Sequence, residues 1–352
     1  MSENPFSLSF GIEPIQYIAR YSQTNEIIDT FTSEHPSNYV YVISGIRGSG
    51  KTVMLSNLSD TFDKMNDWIV LNLTPDMDIL NSIAAKLYSR KEIKKLFIDA
   101  RIDLSAFGIG VSISDSDKIF DIETALEKML IELKKKNKKV LIAIDEIVNN
   151  EYVRIFSGVF QIMLRSKLPI FLIATGLYEN IYNLQNEKTL TFLYRSPKII
   201  LEALSLNSIS RSYEQALNIK KDEATRMARL TKGYAFAYQA LGYLYWKEII
   251  DKKSKHAIDD ILPEYDDILE SYVYEKIWFE LSPKEQEIIA VISNTNGEIK
   301  VSDLRTALEL SSGNMSVYRD RLKKKGIIDT SKFGYISLNL PRFDEIIKVW
   351  ID

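Results

Sequence analysis

From Tyr39 to Ile200 short apolar runs alternate with amphipathic stretches. Nearly continuous apolar runs read as strands buried on both faces, and their alternation with helical periodicity predicts a parallel sheet covered by helices. The runs are Tyr39–Ser44 (YVYVIS), Trp68–Leu73 (WIVLNL), Val140–Ile144 (VLIAI), Ile170–Ala174 (IFLIA) and Lys198–Leu201. Helices over Lys51–Met65, Met77–Arg90, Ile122–Lys136 and Glu151–Ser166 fit between them. Ile102–Ser114 (IDLSAFGIGVSIS) alternates and carries glycines, which predicts a hairpin ahead of the third helix. The lysine-rich Lys134–Lys139 reads as a solvated helix C-terminus, favoured by the helix dipole, with a binding patch as the alternative.

After Leu201 the strand-like runs stop. Leu206–Asn218, Asp222–Thr231 and Tyr234–Lys252 have helical periodicity, with Gly233 separating the last pair. Pro263 and the acidic EYDD mark a boundary, followed by a long helix over Tyr265–Leu281. LSPKEQEIIAVIS (Leu281–Ser293) opens with a serine cap and a proline in the first turn. Val301–Leu310 makes a second helix and Asn314–Lys325 a third, and IIDTSKFGYISL reads as short strands around a turn at Lys332 to Gly334. Helix, helix, turn, helix, β-wing is the winged-helix order. The expected division is a core over 1–201, a helical lid over 202–263, and a linker helix with winged helix over 264–352.

The first strand runs into GIRGSGKT, Gly45–Thr52, which satisfies G-x-x-x-x-G-K-T with a strand before it and a helix after it. Gly45, Gly48 and Gly50 are expected at positive φ, where successive N–H groups turn inward toward phosphate oxygens. The helix that starts near Lys51 adds its positive end. Lys51 places a compact charge on the β- and γ-phosphates, and the Thr52 hydroxyl suits one Mg²⁺ position. Gly45, Gly48, Ser49, Gly50, Lys51 and Thr52 are the nucleotide-binding candidates, although Arg47 and Ser49 fill free positions of the motif and carry no separate role.

VLIAIDEI puts Asp145 and Glu146 at the end of a buried strand. Ligands of an open α/β sheet gather at the carboxyl ends of its strands, and an acidic pair there calls for a cation. Asp145 suits the Mg²⁺ shell and Glu146 suits polarising the attacking water. A helix cap with a neighbouring acid is the structural alternative. Thr175 ends the next strand, where its hydroxyl either contacts the γ-phosphate or the lytic water, or caps the following turn. Arg195 precedes the last strand; it is either an arginine that reaches a neighbouring subunit's γ-phosphate in a ring or a plain surface arginine.

Composition narrows the partners. The chain has 352 residues, 45% hydrophobic and 26% charged, with a net charge of −3, so it is not a globally basic nucleic-acid binder. It has no cysteine and only His35 and His256, which excludes thiolate chemistry and disfavours an imidazole metal site. No stretch reaches the ~18 apolar residues of a membrane span, and the N-terminus lacks a secretory pattern; a cytoplasmic protein without a membrane partner is the expectation. The third helix of the terminal unit carries Tyr318, Arg319, Arg321, Lys323, Lys324 and Lys325, residue types that contact phosphates and base edges. Glu285, Glu287, Asp303, Glu309 and Asp320 offset that charge, so affinity for DNA should be modest and salt-sensitive.

Together these residues resemble the AAA+ superfamily, and within it the prokaryotic, archaeal-type ATPases related to archaeal origin-recognition initiators. NPFSLSFGIEP (Asn4–Pro14) with IARYSQTNEIIDTF resembles the N-terminal segment that lies over the adenine in that group, with Ala19-Arg20 where a Gly-Arg is usual. GIRGSGKT matches the Walker A pattern and LIAIDEI the Walker B; Thr175 takes the sensor-1 slot and Arg195 the arginine-finger region. One departure stands out: lids of such ATPases carry G-x-x-R, or G-x-P in signalling relatives, and this chain has Gly233-Tyr234-Ala235-Phe236. Arg226 and Arg229 lie one helix earlier as possible substitutes.

The resemblance implies a slow ATPase that uses ATP and Mg²⁺. One expectation is a switch whose nucleotide state changes how the winged helix meets duplex DNA. The other is a STAND-like signalling or scaffold ATPase whose winged helix binds a protein; self-association is open in both. A P-loop small-molecule kinase is disfavoured, because the winged helix would have no purpose in it.

Overall fold

The apolar runs become β1 (Val40–Ser44), β2 (Trp68–Leu73), β3 (Lys139–Ile144), β4 (Ile170–Gly176) and β5 (Lys198–Ile200), a parallel five-stranded sheet ordered β2-β3-β4-β1-β5. The computed structural model describes residues 3–9, 11, 13–110, 119–186, 193, 195–254, 257–295 and 297–351. The sheet belongs to a unit of Arg20–Ser44 and Lys51–Ile200; Met1–Ala19, Gly45–Gly50 and Leu201–Asp352 form a second.

In the sheet unit, helices α1 (Tyr21–Thr32), α2 (Lys51–Asp63), α3 (Ile79–Ser89), α4 (Lys91–Asp99), α5 (Ile122–Lys135), α6 (Glu151–Arg165) and α7 (Tyr178–Asn186) cover the strands. All residues of β1 and β4 are buried, as strands packed on both faces must be. Phe31 of α1 meets Phe62, Trp68 and Phe171 at ring-centroid distances of 4.9 to 6.3 Å, and this aromatic cluster docks α1. Each such pair adds roughly 0.5–1.5 kcal/mol beyond its buried area. The Lys134–Lys139 run is structural: Lys134 Nζ donates to Lys167 O at 2.8 Å, Lys138 Nζ caps Asn66 O, and Lys139 lies over the Trp68 ring. The hairpin expected over Ile102–Ser114 does not form within 102–110, which hold a 3₁₀ turn at Ser105–Phe107; residues 111–114 lie outside the described residues. Gly108, at φ 71°, ends that turn, so the glycine there serves a turn and not a strand.

In the second unit come α8 (Leu206–Leu217), α9 (Lys221–Leu230) and α10 (Ala235–Tyr245), the last continued by a π-turn over Trp246–Asp251. The expected Tyr265–Leu281 helix is three pieces: α11 (Leu262–Leu269), with Pro263 in its first turn, a π-turn over Glu270–Tyr274, and α12 (Glu275–Phe279). Then follow α13 (Pro283–Ser293), β6 (Glu298–Lys300), α14 (Val301–Ala307), α15 (Ser312–Lys324), β7 (Ile328–Asp329), β8 (Tyr335–Leu338) and α16 (Phe343–Ile351). The antiparallel order β6-β8-β7 builds the wing. A capping box starts α13: Ser282 accepts from Glu285 N and Glu285 Oε2 accepts from Ser282 N at 2.8 Å.

Lid and winged helix share one core. Lys232 Nζ donates to Leu338 O and Leu340 O at 3.1 and 3.4 Å, Tyr274 Oη to Pro341 O at 2.8 Å, and Arg342 Nη2 meets Asp266 Oδ2 at 2.5 Å. The N-terminal segment packs on α10: Phe6 sits between Tyr213 and Tyr238, where a Cβ on Gly242 would be 2.6 Å from its ring. Among the described residues no helix is long and apolar enough to cross a membrane.

Candidate functional site

In the parallel register Ser44 lies beside Gly176 and Ile144 beside Ala174, so β1 and β4 end together and β3 ends two residues earlier at the same edge. Asp145 follows β3 and is engaged on both oxygens. Thr52 Oγ1 donates to Oδ2 at 2.8 Å, and Thr175 Oγ1 donates to Oδ1. The same Thr175 oxygen accepts from Glu146 N at 3.0 Å, while its carbonyl accepts from Ile147 N at 2.8 Å. Thr175 is fully buried at 0% exposure, and a buried hydroxyl left without partners would cost about 1–3 kcal/mol. Its hydroxyl therefore fixes the turn carrying the acidic pair.

Glu146 has φ 52°, a left-handed conformation that costs a non-glycine residue about 1–2 kcal/mol and recurs at functional sites. The turn exposes its side chain while Asp145 stays half-buried. Neither acid caps the next helix: Asn150 Oδ1 takes that place on α6, accepting from Val153 N at 2.9 Å. Lys51 opens α2 with 7% exposure, unusual burial for an ammonium group. A hydroxyl and a carboxylate 2.8 Å apart are hard oxygen donors of the kind Mg²⁺ prefers. Among the described residues no cluster of three or more His, Asp or Glu side chains gathers as a protein-only metal cage. The donors present thus fit an ion completed by phosphate and water.

The loop Gly45–Gly50 groups with the helical unit. Gly48 and Gly50 have φ 75° and 92°, as a phosphate-cradling turn requires. Gly45 is a correction: it is not among the positive-φ glycines, and its reason is space, since a Cβ there would be 2.5 Å from Ser49 Oγ. Two lid groups hold the loop. Tyr234 Oη donates to Arg47 O at 2.5 Å and Phe236 N donates to Gly48 O at 3.1 Å. Helix α10 has no side-chain cap, so the Gly48 carbonyl satisfies one of its orphan amides, a bond worth about 1 kcal/mol. Arg47 Nη2 also pairs with Glu280 at 2.9 Å. Burial pushes the Tyr234 hydroxyl far above the usual phenol range against the pull of Arg47, which keeps it a donor.

Solved structures share this architecture. The ORC2 protein of Aeropyrum pernix, in ADPNP–ADP complexes, aligns with a TM-score of 0.62 at 13% identity, over 98% of this chain and 96% of that one. CDC6P of Pyrobaculum aerophilum aligns with a TM-score of 0.52 at 14% identity, over 98% of each chain. This is the AAA+ fold of the archaeal ORC/Cdc6 proteins. At these identities the likeness is one of fold. A family described as a domain of unknown function, DUF8462, matches residues 271–347. No curated protein matches the chain in sequence.

In this ORC/Cdc6-type fold the basic third helix of the winged helix is α15. Its Arg319, Arg321, Lys323 and Lys324 are exposed. Tyr318 is half-buried against the core, with Arg321 6.0 Å above its ring, so its ring serves packing. Lys324 pairs with Asp320 at 2.7 Å. Lys325 is structural: it meets Glu285, itself 1% exposed, at 3.0 Å.

Arg195 is exposed and stands outside the Thr52–Asp145–Thr175 network. Arg226 pairs with Asp259 at 2.5 Å, and Arg229 is exposed. The lid residues that reach the loop, Tyr234 and Phe236, were not singled out by sequence. The signal was there in the non-matching Gly233-Tyr234-Ala235-Phe236, but aromatics beside a helix start read as core.

Proposed function

We propose that the chain binds ATP with Gly45–Thr52, hydrolyses it slowly to ADP and phosphate, and acts on or near duplex DNA through its winged helix. The observation that carries the nucleotide reading is the hydrogen bond from Thr52 to Asp145, which joins the loop motif to the acidic pair across 93 residues. Gly45, Gly48, Ser49 and Gly50 line the phosphates, with the Ser49 amide itself held by Ile46 O at 3.1 Å, and Lys51 offsets the phosphate charge. Thr52 and Asp145 would hold Mg²⁺, which when bound would neutralise charge on the phosphate oxygens. Glu146 takes a proton from the attacking water as its oxygen bonds to the γ-phosphorus and the bond to the β–γ bridging oxygen breaks. Thr175 keeps both acids in place, and Arg195 is the candidate to stabilise charge at a second copy's site. A relative in fold that carries ADPNP and ADP supports the nucleotide reading.

A second reading is favoured by the lid and by Lys325. With Phe236 where an arginine is usual, or Ala235 where a proline is, and part of the basic helix engaged in internal ion pairs, the winged helix suits a protein partner and the chain a signalling or scaffold role. Titration of a fluorescent ATP analogue tests the shared premise. Wild type should bind it, more tightly with Mg²⁺, and Lys51→Ala should not; equal binding by the two proteins contradicts it. Salt-dependent retention on duplex DNA then separates the readings.

A further inference from the structure

The stretch Gly233-Tyr234-Ala235-Phe236, where the sequence departs from the family it resembles, is where the lid meets the glycine-rich loop. Tyr234 and Phe236 donate to Arg47 O and Gly48 O, two successive carbonyls. In an anion-binding turn the N–H groups converge on one side, and donors fixed to the carbonyls leave that side free. The fit is close: a Cβ at Gly48 would lie 2.2 Å from Tyr234 Oη. Tyr234 is itself held, since its ring stacks on Tyr274 at 6.2 Å, and Tyr274 is anchored by its hydroxyl to Pro341 O. Two residues earlier, Lys232 is tied to Leu338 O and Leu340 O at the end of the wing.

Resting on the nucleotide reading above, we propose that Tyr234 is a positioning residue for the phosphate loop, holding it in anion-receiving shape through the Arg47 carbonyl. A lid arginine acts on the phosphate directly, and acts most on the γ-phosphate. Tyr234 acts on the loop, so it serves ADP and ATP alike. The loop is also tied to the lid and linker by Phe236 and by the Arg47–Glu280 ion pair, which makes the hydroxyl one bond among several rather than the whole support.

Tyr234→Phe removes the hydroxyl and keeps the ring stacked on Tyr274. Affinity for ADP and for ATP should each fall about fivefold, the worth of one hydrogen bond. Amide hydrogen exchange across residues 48–50 should speed up in the nucleotide-free variant, a readout that activity does not enter. Loss confined to ATP overturns the proposal, because it would make Tyr234 a γ-phosphate sensor. Unchanged affinity and exchange overturn it too and leave ATP binding standing. If wild type binds neither nucleotide, the proposal and the reading beneath it both fall.

Discussion

The hydroxyl of Thr52, at the start of α2, donates to Asp145 Oδ2 at 2.8 Å, and that carboxylate's other oxygen accepts from Thr175. A helix N-terminus and two strand ends thus converge on one carboxylate. Asp145→Asn keeps the shape and removes the charge. Nucleotide binding in EDTA should match wild type, while the gain on adding Mg²⁺ should shrink by about tenfold in affinity. Parallel titrations with and without Mg²⁺ check this; an unchanged gain would take Asp145 out of the metal shell.

Glu285 sits in a buried pair with Lys325. Burial pushes its carboxyl up, but the Ser282 amide and the Lys325 ammonium outweigh that and hold it below the usual carboxylate range. A depressed acid stabilises the fold above its unfolded pKa, about 4.3, and loses that contribution as pH falls through the folded value. Lys325→Met should therefore cost about 3–5 kcal/mol at neutral pH, by leaving a buried charge unpaired. Urea unfolding should show the difference narrowing below about pH 4. A gap that persists in acid would mean the loss is one of packing.

Gly48 and Gly50 both have positive φ, but their surroundings differ. A Cβ at Gly48 meets Tyr234 at 2.2 Å, whereas at Gly50 the nearest atom is Ala235 Cβ at 3.9 Å. Both alanine variants carry backbone strain of about 1–2 kcal/mol, and Gly48→Ala adds the clash. Thermal unfolding should rank Gly48→Ala below Gly50→Ala. Equal midpoints would show that the lid contact yields easily.

On the winged helix, Arg319 and Lys323 are exposed on α15, whereas Lys325 is half-buried and paired with Glu285 at 3.0 Å. If this face meets phosphates, Arg319→Ala with Lys323→Ala should lower the slope of log affinity against log salt by about 2. Filter retention of duplex DNA over a salt series measures it. A slope unchanged by the pair would favour the protein-docking reading.

The sheet was legible because its strands are buried on both faces and read as unbroken apolar runs; Trp68–Leu73 was placed to the residue. Helix α4 was not placed: it follows α3 after the single residue Arg90 and buries only Ile93 and Phe97, too short a stripe to stand out. The π-turns at Trp246–Asp251 and Glu270–Tyr274 were invisible because each shifts the helical phase by one residue, which leaves the apolar pattern nearly intact. At the site, Thr52 and Asp145 lie within a hydrogen bond of one another, at 2.8 Å. Gly45 lacks the positive φ expected of it, since its close approach to Ser49 leaves no trace in the motif, and the lid tyrosine carries no motif at all.

The most direct measurement is phosphate release from ATP by wild type and by Glu146→Gln, each with and without duplex DNA at low salt. The account predicts turnover by wild type, a rate that DNA changes, and a loss of about 100-fold or more in the variant while ATP binding survives. Two proteins that both bind ATP, neither of which releases phosphate and neither of which responds to DNA, would contradict it and leave a nucleotide-stabilised, protein-binding switch.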